Sequence, residues 1–354
     1  MSDFFRKNIA ALAGYVPGEQ PQHNGVIKLN TNENPYPPSP GVRAAVKKAV
    51  NFSLRLYPEP LSDSLRRVAA EVYGVRPENI LVGNGSDELL SILMRSFVGP
   101  RDRVAFPVPT YSLYDTLVAI QDGERVEVDY PNDFTVPEAL FSANAALTFV
   151  CNPNSPSGTL APLAKIERLA RSTSAILVVD EAYVDFAGSE GASMLPLVRR
   201  FPNLVVLRTF SKSFSLAGMR VGLAFASEEL IAGMMKVKDS YNLNRLSIIA
   251  ATAALADLPW MTRNVRRIQN SRMKLTTGLN KLGYAVYPSH ANFVMAQREG
   301  QDLRGLYESL KSRKILVRFF DTPRLRDCLR ITVGTPAQVK ALLRELAVIE
   351  GAKG

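Results

Sequence analysis

The chain has 354 residues, 46% of them hydrophobic, which predicts a sizeable globular core divided between a larger and a smaller domain. Its formal net charge of +10 comes from Lys and Arg scattered along the sequence, so we interpret it mainly as a solvated basic surface that also attracts anionic ligands. Nucleic-acid binding would need clustered basic residues, and a membrane span would need an apolar run of about 20 residues; neither pattern occurs, so we expect neither partner.

The predicted elements begin with an extended arm. Residues 31–41, with the sequence TNENPYPPSPG, contain too many prolines for a continuous helix or a central strand. Helices then alternate with short apolar runs. Residues 62–74 have the apolar stripe of a helix, and a buried strand at 80–83 leads into a second helix at 85–99.

Further apolar runs predict the strands of a central sheet, at 103–107, 146–151, 175–180, 204–210 and 221–226. Strands that are apolar on both faces and separated by helical segments are typical of a mostly parallel sheet with helices on both faces. After a long helical stretch at about 228–282, four runs predict the strands of a smaller α/β domain, and a last helix follows at 336–351. These four runs lie at 283–288, 291–297, 315–320 and 328–334.

Cysteine and histidine are rare. Cys151 and Cys328 are too few for a disulfide framework, and their spacing matches no metal site. With His23 and His290 as the only histidines, we expect no metal and no histidine-based catalysis. The first residues, MSDFFRKNIAAL, lack the long apolar stretch of a secretory signal, so a cytoplasmic location is expected.

Two neighbouring predicted strands end in groups of complementary chemistry. Asp180 ends the run at 175–180, and Lys212 follows the run at 204–210. Open α/β sheets bind ligands at the carboxyl ends of their strands. A carboxylate that keeps a pyridine nitrogen protonated, with a lysine that forms an imine with an aldehyde, is the minimal equipment for pyridoxal phosphate. Lys212 is then also the group that moves a proton at the substrate Cα.

Donors for the cofactor phosphate are predicted from two segments. Gly85, Ser86 and Asp87 lie where a strand turns into a helix, so free N–H groups and the positive helix end point at an anion. A plain helix cap would have the same sequence. Ser211 and Arg220, which flank the candidate lysine, add a hydroxyl and a fixed cation.

The ring of the cofactor needs its own contacts. Asn152 follows the run at 146–151, and its amide or the hydroxyl of Tyr183 is positioned to donate to the phenolic oxygen of the ring. Tyr111, in the sequence PTY, is a candidate for stacking on the pyridine face. Each of these three residues alone is as consistent with an ordinary turn or with packing.

Read in order, these motifs resemble a known family, the class II (fold-type I) aminotransferases, and within it the histidinol-phosphate branch. The motifs are TNENPY, NGSDE, PTY, NPNSPSG, DEAY, SKSFSLAGMRVG and LRITVG, and the resemblance extends from about Tyr15 to Gly334. It implies an α/β fold-type I transferase with pyridoxal 5'-phosphate as cofactor. It also implies an N-terminal arm and part of the small domain at 1–50, a large cofactor-binding domain at 51–245 and a small C-terminal domain at 246–354.

The resemblance assigns four further residues. Arg330 matches the arginine that binds the α-carboxylate of glutamate or the phosphate of histidinol phosphate, and Arg318 matches a second arginine for the phosphate end. Guanidinium groups suit both anions. Tyr57 matches a tyrosine that reaches the cofactor phosphate across a dimer interface, which implies a homodimer with its active site at that interface. Tyr15 matches a residue of the substrate pocket, as does Asn152.

The implied reaction is transamination between L-histidinol phosphate and 2-oxoglutarate, a step of histidine biosynthesis. An aromatic or broad-specificity aminotransferase and a threonine-phosphate-type decarboxylase use the same cofactor and stay open as alternatives. A nicotinamide oxidoreductase is disfavoured because GNGSDE at 83–88 lacks the third glycine of its fingerprint. A DNA-reading regulator is disfavoured because no winged-helix segment precedes residue 60.

Overall fold

The computed structural model describes residues 4–14, 18–21, 25–188 and 192–351. Within these ranges the strands are β1 (Ile27–Lys28), β2 (Ile80–Gly83), β3 (Arg103–Val108), β4 (Glu124–Asp129), β5 (Leu147–Cys151), β6 (Ile176–Asp180), β7 (Leu204–Thr209), β8 (Gly222–Phe225), β9 (Ala285–Val286), β10 (Phe293–Gln297), β11 (Ile315–Leu316), β12 (Arg318–Phe319) and β13 (Cys328–Thr332). The helices are α1 (Lys7–Ala11), α2 (Pro40–Ala49), α3 (Asp63–Tyr73), α4 (Ser86–Phe97), α5 (Leu113–Ile120), α6 (Leu163–Ser172), α7 (Glu228–Met235), α8 (Arg245–Leu255), α9 (Leu258–Lys281), α10 (Arg304–Ser312) and α11 (Pro336–Ile349).

The larger sheet has seven strands in the order β2-β8-β7-β6-β5-β3-β4. Strand β8 runs antiparallel to β2 and β7, and the remaining pairs are parallel. Buried apolar side chains fill both faces of β5, because helices cover the sheet on its two sides. The predicted mostly parallel α/β sheet is therefore confirmed.

The carboxyl ends of the parallel strands meet along one edge of this sheet. Strand β6 ends at Asp180, and Cys151 at the end of β5 is its register partner. Strand β7 ends at Thr209, two residues before Ser211. The ligand-binding edge expected from the sequence is thus assembled from consecutive strands.

The smaller sheet has the order β12-β13-β10-β9 and is antiparallel. Helices α9 and α11 pack against it in a second core cluster. Strand β1 of the N-terminal arm pairs in parallel with β11, so the arm is attached to the C-terminal part of the chain. Helices α2 and α8 pack against each other in the core of the larger sheet. The domain boundaries at residues 50 and 245 remain predictions.

Helix α2 was not predicted, and it begins at Pro40, inside the segment that was expected to be extended. Two further differences concern a strand and a helical stretch. Strand β4 was not predicted because it lies at the sheet edge and its sequence, ERVEVD, is largely exposed rather than apolar. The helical stretch expected at about 228–282 is three helices, α7, α8 and α9, which end and begin anew at turns. No helix among the described residues has both the length and the apolar character required to cross a bilayer.

Candidate active site

A cavity of about 510 Å³ opens at the carboxyl edge of the larger sheet, where the N-terminal arm and the smaller sheet close over it. It collects most of the residues predicted for cofactor and substrate. These lining residues are Ser86, Asp87, Tyr111, Asp180, Tyr183, Ser211, Lys212, Arg220, Arg318 and Arg330. Side chains separated by more than 240 positions in the sequence thus share one cavity.

Asp180 is a buried carboxylate held by two donors. Its side chain is 3% exposed; Oδ1 accepts from the Ala182 N–H at 3.1 Å and Oδ2 from the Tyr114 hydroxyl at 2.9 Å. Burial raises the pKa of Asp180 from 3.8 to about 6, and the Tyr114 hydrogen bond opposes this rise. Asp180 therefore offers a poorly solvated negative charge, which favours a cationic partner.

Lys212 has an amine that loses its proton readily. Burial, followed by repulsion from the nearby Arg330 guanidinium, lowers the pKa of Lys212 to about 8. Its Nζ donates to the carbonyl oxygen of Thr31 at 3.2 Å and lies 5.6 Å from the centroid of the Tyr183 ring. An amine with such a pKa is nucleophilic near neutral pH and can act as a general base.

The start of helix α4 forms a cradle for an anion. Gly85 precedes the helix with φ +84°, and a Cβ there would lie 2.4 Å from Nη2 of Arg220. A Cβ on Gly222 would lie 2.6 Å from the backbone nitrogen of Ser86. The two glycines therefore allow the cation and the helix start to approach each other closely, as a phosphate site requires.

The carboxylate of Asp87 organises this cradle. It accepts from Nη2 of Arg220 at 3.2 Å and from the hydroxyl of Tyr111 at 3.1 Å. Ser211 accepts from Nη1 of the same arginine at 3.3 Å. Since a carboxylate repels phosphate, Asp87 can contribute to an anion through its backbone N–H and through the side chains that it holds.

Tyr183 is fixed by the N-terminal arm. Its hydroxyl accepts from Nδ2 of Asn32 at 3.1 Å, and its ring packs edge-on against Phe293 at 5.0 Å. Asn32 adopts a left-handed backbone (φ +58°), and its backbone N–H donates to Oγ1 of Thr332 on β13 at 2.9 Å. Burial raises the pKa of Tyr183 to about 12, so its hydroxyl keeps its proton.

The opposite end of the cavity carries two guanidinium groups. Arg318 on β12 and Arg330 on β13 are register partners, and each lies 5.4 Å from the ring of Phe320. Arg330 donates to Oγ of Ser155 at 3.0 Å and to the carbonyl oxygen of Asn30 at 3.1 Å. Like charges directly opposite each other are unfavourable in a sheet. The pair is consequently suited to an anionic ligand group.

Four of the predicted residues are placed elsewhere or are not described. Gly85 lies beside Arg220 but is not among the residues that line the cavity, and Asn152 directs its amide to the backbone of Ala161. Tyr57 is 77% exposed and stacks on Tyr241 at 4.5 Å. Tyr15 lies outside the described residues.

Sequence comparison identifies the family. The family model of aminotransferase class I and II matches residues 24–346. The chain belongs to the class I and II aminotransferases. A histidinol-phosphate aminotransferase of Geobacter sp. is 48% identical over 343 residues, covering 96% of this chain and 97% of that protein. Histidinol-phosphate aminotransferase 1 of Trichormus variabilis is 45% identical over 348 residues, covering 98% of this chain and 99% of that protein.

A solved structure agrees with these relatives. The histidinol-phosphate aminotransferase of Sinorhizobium meliloti, crystallised with pyridoxal-5'-phosphate, superposes with a TM-score of 0.92 at 28% identity, covering 100% of this chain and 99% of that chain. The predicted resemblance to fold-type I aminotransferases, and to the histidinol-phosphate branch among them, is confirmed.

Several cavity residues of this aminotransferase were not predicted from the sequence. Thr31, Asn32 and Glu33 line the cavity within the TNENPY motif, which had contributed to the family resemblance and indicated an extended arm but no site residue. The polar residues that precede its proline are a signal that was available, because polar side chains in an ordered loop often carry function. Tyr114, whose hydroxyl donates a hydrogen bond to Asp180, gave no signal in the sequence beyond its place three residues after Tyr111.

Proposed function

We propose that this chain catalyses pyridoxal-phosphate-dependent transamination between L-histidinol phosphate and 2-oxoglutarate in histidine biosynthesis. The observation that carries the proposal is one cavity with a buried carboxylate, an amine of lowered pKa and an arginine pair. The relatives with identities of 41–48% over almost the full chain bear the same enzyme name, which supports this choice of substrate.

The residues present fit pyridoxal phosphate. Arg220, Ser211 and the N–H groups at the start of α4 would hold its phosphate, and Tyr111 would cover its ring. Asp180 would face the ring nitrogen, since a desolvated carboxylate favours a protonated neighbour. When bound, the cofactor supplies an electron-withdrawing ring that accepts the electron pair left on the substrate Cα.

Lys212 then performs the proton transfers of the reaction. Its Nζ would hold the resting cofactor, and it would be available as a free amine once the substrate is bound. Burial and the nearby Arg330 lower the pKa of this amine to about 8, so a neutral fraction that can accept the Cα proton is present near neutral pH. The carbonyl oxygen of Thr31 holds Nζ at 3.2 Å, and this contact keeps the free amine inside the cavity. Tyr183 keeps its phenolic proton and would donate it in a hydrogen bond to the phenolic oxygen of a bound cofactor.

The arginine pair explains how two different substrates use one site. Arg330 binds the carboxylate of glutamate or 2-oxoglutarate, and both guanidinium groups bind the phosphate of histidinol phosphate. The phosphate has more negative charge and more acceptor oxygens than a carboxylate, so it benefits more from the second cation. A ligand without an anionic end at this position brings no negative charge to the two guanidinium groups.

The substrate assignment is tested by adding L-histidinol phosphate or L-phenylalanine to the purified holoenzyme without any 2-oxo acid. We expect histidinol phosphate to remove the visible absorption of the cofactor, because its phosphate neutralises the arginine pair, and phenylalanine to have far less effect at the same concentration. Equal bleaching by phenylalanine would instead identify an aromatic aminotransferase, and release of carbon dioxide from a phosphoamino acid would identify a decarboxylase. The Arg318→Ala variant should need about 10-fold more histidinol phosphate.

We further propose a homodimer that forms through an apolar strip. The strip comprises the exposed side chains of Val50, Phe52, Leu54, Leu56, Tyr57 and Leu61, together with Tyr241. Phe52 is 82% exposed and Tyr57 77% exposed, which is unusual for neighbouring large apolar groups on a free surface. A partner subunit covering the strip would bring Tyr57 to the phosphate cradle of the other site, as the resemblance implies.

The Phe52→Asp/Leu56→Asp double variant is expected to be monomeric, because two desolvated carboxylates would oppose burial of the strip. Light scattering after size-exclusion chromatography measures the mass. Val348→Asp, at a 56% exposed position on α11, serves as the matched control and should leave the mass unchanged. A double variant with the mass of a dimer, or a wild-type monomer, would exclude this interface.

We propose that the protein is located in the cytoplasm. Cys151 and Cys328 are both buried and unpaired, which is compatible with a reducing environment.

A further inference from the structure

Behind the cavity wall, one buried hydroxyl contacts the candidate cofactor carboxylate. Tyr114 is completely buried and donates from its phenol to Oδ2 of Asp180 at 2.9 Å. Asp180 lines the cavity, whereas Tyr114 is not among the lining residues. The tyrosine therefore contacts the carboxylate from outside the cavity lining, and its hydroxyl would act on a bound cofactor through Asp180.

The ring of Tyr114 is locked in place. It stacks on Phe149 with a centroid distance of 4.5 Å and an interplanar angle of 6°, and Tyr111 packs edge-on against it at 5.6 Å. Phe149 is fully buried on β5, so the stack is anchored in the central sheet. A side chain with so little freedom holds its hydroxyl at a fixed position.

The direction of the hydrogen bond follows from burial. Desolvation raises the pKa of Tyr114 well above 10, so the phenol keeps its proton and must be the donor. The bond lowers the pKa of Asp180, against the larger upward effect of burial. Asp180 has only one other donor, the Ala182 N–H at 3.1 Å, among the contacts of the described residues.

We propose that Tyr114 is a positioning residue that keeps Asp180 ionised and aimed at the cofactor, and thereby sets the lower pH limit of the reaction. This inference rests on the proposed role of Asp180 as the partner of the ring nitrogen. Tyr111 lines the cavity, whereas Tyr114 lies outside the lining and stabilises the negative charge of Asp180. The two tyrosines of the PTYSLY segment thus have separate tasks.

The sign of the expected effect is determined by the protonation of Asp180. Only the carboxylate form keeps the ring nitrogen protonated, so activity falls as the pH falls through the pKa of Asp180. Removal of the donor raises that pKa. In Tyr114→Phe the acid limb of the pH–rate profile should therefore move to higher pH by about one unit, the typical effect of one hydrogen bond to a buried carboxylate.

The test uses the holoenzyme with ¹⁵N-labelled pyridoxal phosphate. The nitrogen chemical shift reports protonation of the ring without reference to turnover, and at neutral pH we expect a smaller protonated fraction in Tyr114→Phe than in wild type. Tyr287→Phe is the control, because it deletes a hydroxyl that donates to Gln297 at 2.9 Å in the smaller sheet. It should change neither the nitrogen signal nor the pH profile.

A second substitution should shift the acid limb of the pH–rate profile in the opposite direction, and it keeps the phenol hydroxyl in place. Replacement of Tyr114 by 3-fluorotyrosine makes the phenol a stronger donor and should move the acid limb to lower pH. Superimposable pH profiles and nitrogen shifts for wild type and both variants would overturn the inference and leave Tyr114 a packing residue. If the nitrogen shifts move but histidinol phosphate is not a substrate, the inference stands and the proposed substrate fails.

Discussion

Lys212→Ala is expected to reduce turnover of histidinol phosphate by at least about 10⁴-fold, the upper range for loss of a general acid–base group. Among the described residues that line the cavity, Lys212 is the only lysine. The variant therefore loses the attachment point of the cofactor and the base that takes the Cα proton, and no neighbouring amine replaces either. Arg330, which lowers the pKa of Lys212, stays protonated and cannot serve as the base.

The attachment is measured independently of activity. Borohydride treatment of the holoenzyme, followed by peptide mass spectrometry, should place the cofactor mass on the peptide that contains Lys212 and on no peptide of the variant. Lys274→Ala, at an exposed position of α9, is the matched control and should behave as wild type. Cofactor fixed to another lysine, or near-normal turnover by the alanine variant, would contradict the assignment.

Asp180→Asn is expected to lower turnover by about 10² to 10³-fold, the range for loss of one electrostatic group that stabilises a developing charge. The amide has no charge to keep the ring nitrogen protonated, although its size is nearly unchanged. The effect on the stability of the apoprotein should be the opposite. Burial raises the pKa of Asp180 from 3.8 to about 6, so ionisation is less favourable in the folded chain than in the unfolded chain.

The pH window of this stability effect follows from the two pKa values. Below about pH 4 the carboxyl is neutral in both states, and the wild-type and Asp180→Asn apoproteins should differ little. As the pH rises through about 6 the wild type loses stability, and above that pH the asparagine variant should be more stable by up to about 3 kcal/mol. Urea denaturation of both apoproteins near pH 4 and at pH 8 measures the difference. A variant that is less stable at pH 8, or one that remains fully active, would contradict the role of Asp180.

The central sheet and the two charged catalytic candidates could be predicted from the sequence because their signals are local. Strand β6 is a continuous apolar run that ends in a carboxylate. Alone, this acid could equally cap a helix or pair with a surface arginine, and the lysine after the next strand is what indicated the ligand edge. Lys212 follows strand β7 in the same way. Strand β4 lacked this signal because an edge strand has little need of apolar residues.

Other parts of the site depend on contacts that no local pattern contains. The hydrogen bond between Asn32 and Thr332 joins residues 300 positions apart, and Asn34 donates to the carbonyl oxygens of Lys212 and Ser213. The direction of the Asn152 amide, towards Ala161, is likewise a matter of side-chain packing. The sequence showed which polar and charged residues were available for the site. Which of them contact each other depends on the tertiary structure.

The long separation between Asn32 and Thr332 has a consequence for synthesis of the protein. During translation Asn32 leaves the ribosome first, and its partner on β13 follows only 300 residues later. The larger sheet can assemble beforehand, because its strands end at Phe225. Asn34 can find its partners at Lys212 and Ser213 by then, but Asn32 has no Thr332 to contact until β13 is released. The cavity is therefore completed late in folding, after the larger sheet.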